Sequence, residues 1–226
     1  MSKALGCLAV VVVVVVILAL VAGGSYNRLV GLSQAVDAQW AQVESVYQRR
    51  ADLIPNLVAS VQGAANFEKS TLEAVTQARA SVGQMQGPSA RDLPSDPQAF
   101  ARWQAAQDQL SGALSRLLVV AEAYPDLKAT QNFRDLQAQL EGTENRIAVE
   151  RMRYNDAARE YNTARQRFPA ALVANMFGFR EKSYFKAQPE ASQAPKVQFD
   201  FSPAPRALPA GPPGAPAAAP RPSARP

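Results

Sequence analysis

Residues 4–22 carry no charged side chain and are valine-rich from Val10 to Val16. As a helix rising about 1.5 Å per residue, such a run matches the hydrocarbon thickness of a bilayer, roughly 30 Å. It reads as an uncleaved membrane-spanning anchor. A cleavable signal peptide ending near Ala22-Gly23-Gly24 is the weaker reading, because its apolar region usually runs only about 7–15 residues and the basic leader here is Lys3 alone. A lipoprotein signal at Ala4-Leu5-Gly6-Cys7 fails because the apolar run follows the cysteine. Lys3 and the terminal amine precede the run and Arg28 follows it, which slightly favours an inside N-terminus with the remainder outside.

The chain of 226 residues has no histidine and one cysteine, Cys7. That removes the commonest general base and metal ligand, Ser-His and Cys-His nucleophile pairs, and any intramolecular disulfide. No cofactor or metal site is expected. The net charge is +5, but the basic residues are dispersed along helices among acids, so they read as solvated faces and not as a nucleic-acid surface.

Past Ser25, Leu29, Leu32, Val36, Trp40, Val43, Tyr47 and Ile54 recur at helical spacing, one apolar face. Pro55 follows, and since proline lacks an N–H and restricts the residue before it, a helix corner is expected over residues 48–58. There Arg49 and Arg50 would close one helix, Asp52 and Asn56 would flank the next start, and Arg50 would pair with Asp52 or Glu68. A second stripe runs Leu57, Val61, Leu72, Val75 and Val82, with Glu68 as its partly buried, arginine-paired polar member. Residues 83–97 form a loop, and a third helix is expected over about 98–123 with Trp103, Leu110, Leu117 and Tyr124 seven apart. After the break at Pro125, a fourth helix of about 127–166 places Phe133, Leu140, Ile147, Tyr154, Tyr161 and Phe168 seven apart. That seam calls for a partner in the same chain or in another subunit. The aromatic piece from Pro169 through Phe179 to Phe185 caps the bundle end or meets a membrane or partner surface. Residues 187–226 are Pro/Ala-rich and expected to be disordered.

Tyr26-Asn27-Arg28-Leu29-Val30, the 49–58 corner, Thr76 to Ala80 around Arg79, Leu140 to Arg146 with Glu144, Tyr154-Asn155, Tyr161-Asn162, and the Phe168-Pro169 to Phe185 segment occur in one order. Together they resemble the LemA family over residues 26–201. The resemblance implies a bacterial membrane protein with one N-terminal spanning helix and an antiparallel helical bundle. It also implies a short N-terminus outside, opposite to the charge argument. The expected architecture is all-α: a spanning segment (1–25), an up-and-down four-helix bundle with long helices (26–186) and the tail (187–226). Asn155, Asn162, Glu68, Glu144, Arg79 and Arg146 are expected to set helix register through bonds across helices.

The expected function is a non-enzymatic, membrane-anchored scaffold or adaptor of the cell envelope. It would contact lipid through the anchor and an envelope protein through the bundle, with no nucleic acid. A self-assembling or membrane-remodelling bundle, homo-oligomeric through the fourth-helix seam, is the alternative. An enzyme using carboxylates alone ranks last, because it needs two acids across a cleft.

Overall fold

The computed structural model describes residues 2–63, 67–85 and 92–186. The expected disordered tail lies outside the described residues, as do Gly87 and Pro88 of the expected loop. Helix α1, Ser2–Gln62, is 61 residues long, about 92 Å at 1.5 Å per residue. Its start is the one helix apolar enough to cross a membrane among the described residues, with mean hydropathy 3.0 over an 18-residue window and none of that window buried in the protein.

The corner expected at Pro55 is absent: α1 runs straight through it. A proline inside a helix costs about 3 kcal/mol, chiefly by orphaning the carbonyl four residues back and crowding it. Here that carbonyl belongs to Ala51, and Arg79 Nε donates to it at 3.4 Å. Pro55 itself faces outward, while Ile54, Leu57 and Val61 are buried in one apolar cluster. Packing on either side therefore holds the helix together through the defect. The second stripe is divided accordingly, with Leu57 and Val61 in α1 and Leu72, Val75 and Val82 in α2, Lys69–Gln84.

A buried 3-10 turn, Leu93–Ser95, leads into α3, Pro97–Ala121. Asp96 caps α3 by accepting from the N–H groups of Gln98 and Ala99, both at 3.0 Å, and Pro97 occupies the first position, where no N–H is needed. The expected fourth helix is split. Leu127 lies in the short α4, Pro125–Ala129, and the long α5 begins only at Gln131 and runs to Gln166. The last helix is α6, Ala170–Phe177, ended by Gly178 at φ 72°, a left-handed conformation that favours glycine. The described residues form six α-helices and no strand, the expected antiparallel all-α bundle.

The core has three levels along α1. Farthest from the apolar run, Ile54, Leu57 and Val61 pack with α2, α3 and Phe133 and Leu140 of α5. Midway, Trp40 and Tyr47 meet Phe100, Trp103, Tyr154 and Phe185. Nearest the apolar run, Leu29 packs on Ala164, Val173 and Ala174. The seam of α5 is thus filled by its own chain from Phe133 to Tyr161. Phe168 is not part of it: α5 has ended, and Phe168 is 83% exposed beside the cis bond to Pro169.

Candidate functional site

Between the distal and middle levels lies a polar layer centred on Arg50, which is 1% exposed. Its partner is neither Asp52 nor Glu68. The guanidinium donates to Glu144 Oε1 at 3.0 Å, to Ser111 Oγ at 2.6 Å and to the side-chain oxygen of Gln107, and its carbon stands 4.9 Å from the Tyr47 ring centre. The alignment follows from topology: α5 runs antiparallel to α1 while α3 runs parallel, so Glu144 and Ser111 arrive level with Arg50. Next to it, Arg151 donates to the Tyr47 hydroxyl at 2.6 Å and to Asp108 Oδ1 at 2.8 Å. Asp52 instead sits on the exposed side and accepts from Gln48 at 2.8 Å. Glu68 is exposed at the start of α2, accepting from Ser70 Oγ at 2.6 Å, because α1 ends at Gln62 and α2 begins at Lys69, both past Pro55.

The second feature is a strap, residues 179–186, that climbs back along α5. Asn162 donates to the Lys182 carbonyl at 2.8 Å and accepts from the Lys182 N–H at 2.9 Å. Asn155 repeats the pair on Phe185, at 3.1 and 2.9 Å. The tyrosine hydroxyls follow the same step, Tyr161 donating to the Arg180 carbonyl and Tyr154 to that of Ser183, each at 2.9 Å. Seven residues of helix rise about 10.5 Å and three of extended chain about 10 Å, so a heptad on α5 keeps pace with every third strap residue. Gln104 of α3 holds both backbone groups of Lys186 and Arg165 holds the Phe179 carbonyl. The amides of Asn155 and Asn162 therefore do not bond across helices as expected; they read the backbone of the strap. Side chains lock it further, with Lys182 Nζ 3.0 Å from Asp37 Oδ1 and the Phe185 ring inside the aromatic cluster, 5.4 Å from that of Tyr154.

The remaining signature residues lie apart. Tyr26 places its ring edge-on against Phe177 at 5.0 Å and Phe179 at 5.6 Å, whereas Asn27 beside it is exposed and does not join the asparagine pattern. Arg49, Asn56 and Arg146 are exposed, and Pro169 begins the turn into α6. Sequence reasoning missed Gln104, Gln107, Asp108, Arg151 and Lys182. The one available signal was polar residues falling on otherwise apolar helical faces, as Gln107 does between Phe100 and Leu114.

Burial raises the phenol pKa of Tyr154 far above 10, with the Asp37 charge adding to it. Burial also raises Tyr47, against the lowering effect of Arg151 and Arg50, and raises Tyr161. The Tyr154 and Tyr161 hydroxyls donate to carbonyls, which takes the neutral phenol. Open depressions of about 460 Å³ beside Tyr124 and Pro125, and about 330 Å³ between Phe100 and Tyr184, flank this framework. Most of its polar groups are committed to the chain itself, with Arg50 Nε, the Gln107 amide nitrogen and Ser183 Oγ left without a partner, so the arrangement positions and rigidifies.

A family model described as the LemA family matches residues 39–199. The chain is similar to magnetosome protein MamQ 2 of Paramagnetospirillum magneticum, 28% identical over 178 residues, 73% of this chain and 65% of the relative. It is 27% identical to magnetosome protein MamQ of Magnetospirillum gryphiswaldense over the same shares. With Protein LemA of Metamycoplasma hominis the identity is 24% over 179 residues, 79% of this chain and 75% of the relative. The match thus spans just under two thirds of the length of the magnetosome relatives.

Proposed function

The chain belongs to the LemA family, and from that premise we propose that it is a non-enzymatic scaffold of the bacterial cell envelope. The apolar start of α1 anchors it in the inner membrane, with the N-terminus inside and the bundle outside. The bundle presents its distal faces to a membrane or envelope protein. The observation that carries this reading is the continuity of α1, one helix from the apolar run to the distal core. An element shared by anchor and bundle fixes the height and direction of everything packed on it. The relatives named as magnetosome proteins extend the reading to assemblies on membranes. Self-assembly through the α5 seam loses ground, because Phe133, Leu140, Ile147, Tyr154 and Tyr161 are buried within one chain.

The test uses the full chain with Cys7 replaced by serine and a single cysteine at Val119, which is 71% exposed on the distal part of α3. A membrane-impermeant maleimide should label it in spheroplasts before lysis, and a photo-crosslinker at the same site should give discrete adducts with envelope proteins. Labelling only after lysis overturns the topology. Turnover of an envelope substrate by the purified chain, lost on Glu144→Gln, overturns the non-enzymatic scaffold.

A further inference from the structure

Helix α6 leaves an apolar face without a partner: Leu172 is 64% and Met176 71% exposed at a spacing of four, and Phe168, 83% exposed, lies just before the helix. Val173 and Ala174, on another face of the same helix, are buried against Leu29. Such a cluster on a surface marks an interaction site. The chain path says where it sits. Helix α5 descends to the level of Leu29, α6 makes the turn, and the strap climbs away again through Arg180, Lys182 and Phe185. Apart from α1, therefore, α6 is the element of the bundle nearest the apolar run. It reaches the end of that run, since Ala22 is partly buried against the cluster of Leu29, Val173 and Ala174.

From this placement we infer that α6 is a foot resting in the headgroup layer of the membrane, on an anionic lipid surface. The inference rests on the reading that the start of α1 spans the bilayer. With the hydrocarbon boundary at Ala22, Tyr26 stands about 6 Å above it at 1.5 Å per residue, the depth at which amphipathic aromatic rings collect. Its ring packs on Phe177 and Phe179, which brings α6 to that depth. Arg28, Arg167 and Arg180 are exposed around this end of the bundle. Glu181 adjoins Arg180, and Asp156 and Glu160 share an open depression with Arg28, Arg159 and Arg167, so four arginines stand among three acids at this end. Apolar side chains flanked by exposed arginines in slight excess over acids match the interior and the phosphates of an anionic leaflet, the pattern of helices that lie in a membrane interface.

The full chain, with Cys7 replaced by serine, is given one nitroxide label at a cysteine replacing Val12, Leu172, Met176 or Val119, all exposed positions. Each is reconstituted into vesicles of phosphatidylcholine alone or mixed with phosphatidylglycerol, and collision with oxygen is compared with collision with a water-soluble nickel chelate. Retained fluorescence of Trp40 and Trp103 shows that a labelled chain is folded. The oxygen-to-nickel ratio at Leu172 and Met176 should exceed that at Val119 several-fold, fall below that at Val12, and rise further with phosphatidylglycerol. Arg28→Glu with Arg167→Glu should remove that further rise. Equal ratios at Met176, Leu172 and Val119, with Val12 still in lipid, overturn the foot and leave the anchor standing. An aqueous Val12 overturns both. Spin–spin broadening at Met176 makes a second copy the occupant and overturns the lipid assignment.

Discussion

The polar layer around Arg50 predicts an asymmetry between its two charged members. Arg50 is 1% exposed, whereas the Glu144 side chain is 37% exposed. Glu144→Ala strands a guanidinium in the core with only the neutral acceptors of Ser111 and Gln107, a loss of about 3–5 kcal/mol for an uncompensated buried charge. Arg50→Met instead leaves a carboxylate that water already reaches, fills the space beneath Tyr47, and orphans chiefly the Gln107 amide, whose nitrogen has no partner in the first place. That costs about 1–3 kcal/mol, the penalty for an unsatisfied buried polar group. Removing the acid should therefore hurt more than removing the base. The double variant should resemble Arg50→Met alone, because the stranded charge is gone. Urea unfolding of the full chain in detergent micelles reads this through Trp40 and Trp103, whose rings lie 5.1 Å apart in the adjoining aromatic level. In melting temperature, roughly 2–4 °C per kcal/mol for a chain of this size, Glu144→Ala should fall by about 6–20 °C. A larger loss for Arg50→Met than for Glu144→Ala, or strictly additive losses in the double variant, refutes the reasoning.

Asn162→Ala removes both bonds to Lys182 and leaves its backbone groups unpaired, so it should cost about 2–4 kcal/mol and expose the strap to trypsin at Arg180. Uncut chain under conditions where the wild type also resists would refute the clasp. Pro55→Ala restores an N–H for the Ala51 carbonyl and should raise stability by about 1–3 kcal/mol with unchanged helix content; a lowered urea midpoint would contradict it. The raised Tyr154 pKa contributes stability that is complete below pH 10, the unfolded value, and is lost as pH climbs toward the higher folded one. Ultraviolet titration should accordingly show one late-ionising phenol fewer in Tyr154→Phe, and unchanged counts would remove Tyr154 from that class.

The long periods were legible in the sequence. The α5 heptad from Phe133 to Tyr161 and the α1 stripe from Leu29 to Ile54 declare themselves because each buries one continuous face. Pro55 points to a corner on local backbone chemistry alone: neither the apolar contacts of Ile54 and Leu57 nor the reach of Arg79 to Ala51, which together keep the helix whole, is visible along the chain. Glu68 misled for a related reason, its heptad spacing from Val61 and Val75 being accidental across a helix break. The asparagines were found but assigned the wrong partner, since a strap without periodicity carries no signal of its own. Arg50 was singled out, yet its acid lay 94 residues away, a pairing that topology alone decides.

One consequence of the unbroken α1 concerns mechanics. Residues 23–62 extend about 60 Å beyond the apolar run at 1.5 Å per residue, with no hinge between. Spanning helices commonly lean about 20° from the membrane normal, and they lean further when the bilayer thins. Carried along a stiff lever of that length, such a lean sweeps the distal tip sideways by about 20 Å. Energy transfer between a label at Val119 and acceptor lipids should register the sweep as acyl chains are shortened. The tip beside Tyr124 is then a pointer whose reading is the thickness of the membrane beneath it.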